Sequence, residues 1–153
     1  MNTLEDILKK DTNWLDALPA YQNKSIHELL EQGKTYEEVA IIWLTANGSE
    51  NTYPFGSQNT KSLFFEKLME EVEKFICRED TYAEEKKQLF TQFKAGDVYV
   101  ITFISTAIAP IVGASASLIA PAIALILMTV LRMGLNAWCS LRQELKHENS
   151  GQS

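Results

Sequence analysis

Histidine and cysteine occur only twice each in this 153-residue chain, and both scarcities exclude chemistry. His27 and His147 stand far apart, and neither has a cysteine or carboxylate at ligand spacing together with a second ligand, so no metal centre is expected. Cys77 and Cys139 are too few for a disulfide scaffold and lack metal-binding spacing, so both read as reduced thiols inside helices. No serine or cysteine sits in a glycine-flanked elbow. GSQNTK at 56–61 lacks the second glycine of a phosphate loop. Paired carboxylates at Glu37–Glu38, Glu70–Glu71 and Glu84–Glu85 match the charged exterior of helices. The chain is therefore expected to be no enzyme and to take no cofactor.

Basic residues are also scarce. Residues 1–97 hold 11 Lys/Arg against 18 Asp/Glu, a balance of −7, and residues 132–153 hold three against two. An acidic body repels phosphates, so a nucleic-acid partner is not expected. Residues 26–44, IHELLEQGKTYEEVAIIWL, resemble the opening of a helix-turn-helix, but no basic recognition helix follows. The first residues, MNTLEDILKKDTNW, are acidic and amphipathic and lack the basic-then-apolar pattern of a signal peptide, so a cytoplasmic body is expected.

Charge is missing altogether from Val98 to Leu131, VYVITFISTAIAPIVGASASLIAPAIALILMTVL, a run of 34 residues bracketed by Asp97 and Arg132. A charge-free run beyond about 18 residues reads first as membrane-spanning. One helix of this length would reach roughly 51 Å against about 30 Å of hydrocarbon. Its middle holds Pro110, Gly113, Ser115, Ser117 and Pro121, where a helix stops and restarts because glycine tolerates left-handed backbone and proline removes a donor. The pattern predicts a helical hairpin with arms at 98–112 and 117–131, Asp97 capping the first arm and Arg132 snorkelling from the second. Ala109, Gly113 and Ser117 also have the small-xxx-small spacing that lets helices approach closely.

Strand signals are nearly absent and helix punctuation is dense, so the fold class is all-α. An apolar stripe from Leu4 to Leu18 is closed by Pro19. Ser25–Glu28, Thr35–Glu38 and Thr81–Glu84 fit the capping box, the first opening a helix that stops at Gly33. A longer helix over 60–77 carries Phe64, Phe65, Leu68, Val72 and Phe75 on one face, with Glu66, Glu70, Glu71 and Glu73 opposite. Past Arg132 an amphipathic helix continues to His147, with Trp138 either at lipid headgroup level or packed on the body. The loop Gly48–Gln58 sets Tyr53, Pro54 and Phe55 between glycines, a candidate partner loop.

These readings give about five amphipathic helices in an acidic body over 1–96, a hydrophobic hairpin with its amphipathic extension over 97–147, and a disordered tail over 148–153. The plan resembles that of pore-forming colicin domains and Bcl-2-type proteins in architecture alone. The expected partners are a lipid bilayer and a further copy of the chain or another helical protein. The expected function is a membrane-associated effector that inserts a hairpin and permeabilises the bilayer. The alternative is a cytoplasmic interaction protein whose hairpin is buried in an oligomer or against a partner. The body is expected to fold on its own, so that residues 1–96 form a cooperative domain.

Overall fold

The computed structural model describes residues 13–47, 58–78, 80–92 and 96–151. Every regular element among them is helical: a 3₁₀ turn (Trp14–Ala17), then α1 (Ala20–Glu31), α2 (Tyr36–Asn47), α3 (Gln58–Cys77), α4 (Ala83–Gln92), α5 (Asp97–Val112), α6 (Ala116–Met133) and α7 (Leu135–Gly151). The all-α class and the hairpin, α5 and α6, follow the sequence pattern. The stripe before residue 13 and the Tyr53–Pro54–Phe55 loop lie outside the described residues.

Local chemistry explains most boundaries and corrects several. The Thr35–Glu38 box forms: Glu38 N–H donates to Thr35 Oγ1 at 3.1 Å, and Thr35 N–H donates to Glu38 Oε1 at 3.1 Å. The Thr35 amide, then its hydroxyl, hold the Glu38 carboxyl below its ordinary value. The Ser25 box does not form, because α1 already starts after Pro19 and Ser25 lies inside it, its hydroxyl donating to the Tyr21 carbonyl at 3.2 Å. Pro19 therefore follows the end of the 3₁₀ turn and also opens the next helix. Thr81 spends its hydroxyl on Asp80, and Tyr82, at φ +57°, precedes α4. Asp97 is the first residue of α5, and Gly96 occupies the cap position. At the other end α7 runs to Gly151, into the stretch from 148 expected to be disordered.

α6 is the axis. Its buried residues run without a break from Pro121 to Leu127, and a helix apolar on every side needs cover on every side. α2 provides the most extensive cover, followed by α5 and the 3₁₀ turn, with α1 and α7 adding smaller patches. α3 lies against α5 and α2. The hydrophobic cluster is continuous from Trp14 and Leu15 through Val39, Trp43, Phe65, Val72, Ile104 and Leu125 to Trp138. No break in the core falls near residue 96.

Candidate functional site: an apolar hairpin held at both ends

The two arms are buried differently. α5 packs Val100, Ile101, Ile104, Ile108 and Val112 inward, while Val98 (60 %) and Ile111 (51 %) are exposed beside Thr102, Thr106 and Pro110. Its outer face is therefore amphipathic without a single charge, relying on threonine hydroxyls for polarity. α6 is buried more deeply through its middle, with Ile119, the run Pro121 to Leu127 and Val130 inside, which is half of the helix. Among the described residues it is the one helix long and apolar enough to cross a membrane by length and composition, and α5 is a shorter apolar helix.

The turn joining the arms is built by Gly113 and Ser115. Gly113 has φ +76°, and its N–H reaches the Ala109 carbonyl at 3.0 Å. Ser115 caps α6, its hydroxyl accepting from Leu118 N–H at 3.2 Å. A Cβ at Gly113 would meet no atom within 4 Å, so the turn needs glycine for its backbone conformation and not for close helix packing. Gly113→Leu is thus expected to cost about 1–2 kcal/mol, and Gly113→Asn distinctly less, since asparagine visits left-handed geometry readily. Urea unfolding checks this; equal losses from both substitutions would show that left-handed backbone is not the cause.

Pro121 produces the contact that ties this turn to the body. A proline has no N–H, so the carbonyl four residues earlier, on Ser117, loses its helical donor. Gln22, buried in α1, supplies one: its Nε2 donates to the Ser117 carbonyl at 3.3 Å. Next to it the indole Nε1 of Trp43, from α2, donates to the Leu118 carbonyl at 2.9 Å. Two side chains of the body thereby grip the first turn of α6, and one of them gives the Ser117 carbonyl the donor that Pro121 removes.

The opposite end of α6 is held covalently. Cys77, the last residue of α3, and Cys139 in α7 form a disulfide, Cα to Cα 5.8 Å, across a sequence separation of 62. This corrects the reduced-thiol expectation: spacing along the chain carries no information about two helix ends that tertiary packing brings together. One turn away, Arg142 Nε donates to Glu73 Oε1 at 3.1 Å, with Glu73 3 % and Arg142 12 % exposed. Glu71 is also buried, accepting from Tyr82 Oη at 2.6 Å and from Lys74 Nζ at 3.1 Å. Burial, then the bond to Glu71, push the Tyr82 phenol well above its ordinary value. Glu71 and Glu73 were expected on a solvated face with Glu66 and Glu70, and the helical wheel alone cannot see that Tyr82, just ahead of α4, and Arg142, in α7, reach them.

Trp138 is only 2 % exposed and packs on the body, which decides its two readings in favour of the body in this form. Arg132, just past the buried stretch of α6, stays exposed with its guanidinium 5.3 Å over the Tyr36 ring. Arg132 and Tyr36 border an open groove of about 650 Å³, lined also by Lys34 and Glu37. Of the sites expected from sequence, the fold gathers Gly113, Ser117 and Pro121 at the tip of the hairpin, and Arg132 and Trp138 at its base. Pro110 lies on the outer face of α5 near the tip. Gln22, Trp43, Glu73 and Arg142 are not legible as site residues. Pro121 signals that a carbonyl needs a donor, but the donor lies 95 residues away in sequence. Among the described residues no group of three His, Cys, Asp or Glu could hold a metal ion. Compared with family models, curated proteins and solved structures, the chain matches none of them.

Proposed function

We propose that this protein is a small, non-enzymatic, membrane-associated helical protein that carries an uncharged hairpin sheathed in a water-soluble body and inserts it, in oligomeric form, on meeting a lipid bilayer. One observation carries the reading: a helix of membrane-crossing length and composition forms the axis of the fold, paired with a second uncharged arm whose outer face is open. Between Asp97 and Arg132, at the base of the two arms, the hairpin carries no charged side chain, so this stretch enters hydrocarbon without the cost of burying charge. The acidic helices of the body supply the polar surface that keeps the sheathed form in solution. A disulfide persists in oxidising compartments, which favours a body outside the reducing cytosol over the cytoplasmic body suggested by the first residues.

A second reading is a soluble interaction protein. The burial of the middle of α6 within one chain favours it, since a core helix needs no lipid, and the open face of α5 then meets another copy or a helical partner. Vesicle flotation separates the two. The purified protein is expected to be monodisperse without detergent, to float with added phospholipid vesicles, and to release an encapsulated dye. Failure to float at any lipid ratio, with the protein still folded, rejects membrane insertion in favour of the interaction reading.

Topology offers an independent check. An inserted hairpin returns α4 and α7 to one side of the bilayer, whereas a single span separates the chain ends. Tags at residue 1 and residue 153 are therefore expected to share protease accessibility in sealed proteoliposomes. Opposite accessibility would exclude the hairpin.

A further inference from the structure

The two ends of α6 are restrained by different kinds of bond. At the tip, the restraint on Ser117 and Leu118 is two hydrogen bonds, from Gln22 and Trp43. At the base, it is the Cys77–Cys139 disulfide, backed by the buried Glu73–Arg142 pair and by Trp138. Resting on the membrane reading above, we infer that the hairpin is a hinged device: the Gln22–Trp43 clasp is its gate, the disulfide is its pivot, and insertion starts at the Gly113–Ser115 turn with the disulfide intact.

Geometry forbids the reverse order. Five residues lie between Met133 and Cys139, so even a fully stretched segment keeps the base of α6 within roughly 20 Å of Cys139. Cys139 in turn is fastened to the end of α3, whose exposed Glu66, Lys67 and Glu70 oppose entry into hydrocarbon. Crossing about 30 Å of hydrocarbon base-first would drag those charges along. Leaving tip-first requires no covalent bond to break. The exposed turn holds Gly113 and Ser115 and no charge, and α6 is roughly 27 Å long, so its tip can reach nearly across the core of about 30 Å while its base stays at the near surface.

The clasp is suited to gating because of Pro121. Any ordinary first turn would leave its body intact with all carbonyls bonded, but here the Ser117 carbonyl depends on Gln22 for a donor. Once the turn leaves Gln22 it needs water or headgroup donors, which the polar surfaces of a bilayer offer and its centre does not. Contact with a membrane surface thus competes directly for the group that the clasp holds.

The test uses the full, oxidised chain and vesicles of phosphatidylglycerol and phosphatidylcholine. A polarity-sensitive fluorescent amino acid is placed at Ala114, in the turn, or at Met133, at the base, both outside the buried core. The emission from Ala114 is expected to shift to the blue on vesicle addition without reductant, with Met133 lagging or unshifted. Gln22→Leu combined with Trp43→Phe, which removes both donors and keeps apolar bulk, is expected to accelerate that shift about tenfold or more. Ile26→Val, a buried change on the same helix as Gln22, controls for general loosening and is expected to accelerate it far less. A shift at Met133 before Ala114, a requirement for reductant, or equal acceleration by Ile26→Val overturns the hinge while leaving membrane insertion standing. No flotation and no shift at either position overturns the membrane reading itself, and the hinge with it.

Discussion

A chain ending at Gly96 is expected to be molten: helical in the far ultraviolet, without near-ultraviolet signal, and without a cooperative urea transition. Taken alone, the amphipathic stripes of the body suggest the opposite, an independent domain. The packing reverses that expectation, because the apolar faces of the 3₁₀ turn and α2 close on α6, and that of α3 closes on α5 and α2. Removing residues 97–151 uncovers large side chains such as Trp14, Leu15, Val39, Trp43 and Leu44, which are buried in the intact core. At about 1.5–3 kcal/mol for each large apolar side chain, uncovering half a dozen forfeits roughly 10 kcal/mol or more. The whole net stability of a domain is about 5–15 kcal/mol. The loss is of the same size as the total, and the truncation should not hold together. A truncation that unfolds cooperatively, with dispersed amide resonances, would show that the body closes a core without the hairpin.

Removing the disulfide is expected to destabilise the protein strongly without unfolding it. Replacing Cys77 and Cys139 with serine frees a loop that contains α4, α5 and α6, and closing a loop of this size restricts the unfolded chain by about 4 kcal/mol. For a chain of this length that corresponds to a fall in melting temperature of roughly 10 °C. The native fold itself should persist, since Trp138 and the Glu73–Arg142 pair still attach α7 to α3. Thermal melts of the oxidised protein, the dithiothreitol-reduced protein and the double serine variant check this, with reduced and variant forms melting together. Two titratable thiols in the purified protein, or coincident melts of all three forms, would contradict the cross-link.

How much was readable residue by residue follows from the range of the interactions concerned. The arms of the hairpin lie within a residue or two of their expected bounds, because loss of charge, Gly113 and Ser115 are local signals. The Thr35–Glu38 box was legible for the same reason, since both partners sit on one turn. The Ser25 box failed where an equally local signal, Pro19 ahead of α1, started the helix five residues sooner. Glu71 and Glu73 were misplaced because their partners, Tyr82 ahead of α4 and Arg142 in α7, lie outside α3, where no periodicity within that helix reports them.

The sequence by itself determined the all-α class, the positions of the two uncharged arms and the need for a turn between them, since hydrophobic periodicity, glycine and proline act through backbone geometry over a few residues. That Pro121 removes a backbone donor is likewise written in the sequence, but that the carbonyl left without one is on Ser117 depends on the start of α6 at Ala116. Only the tertiary structure decided who supplies the donor, which cysteine meets which, and which helix becomes the axis. Those outcomes depend on contacts between segments 62 to 95 residues apart, where many pairings satisfy the same local pattern and only simultaneous packing selects one. That is why the apolar run was visible at once, whereas the clasp at its tip and the covalent pivot at its base became visible only in the folded chain.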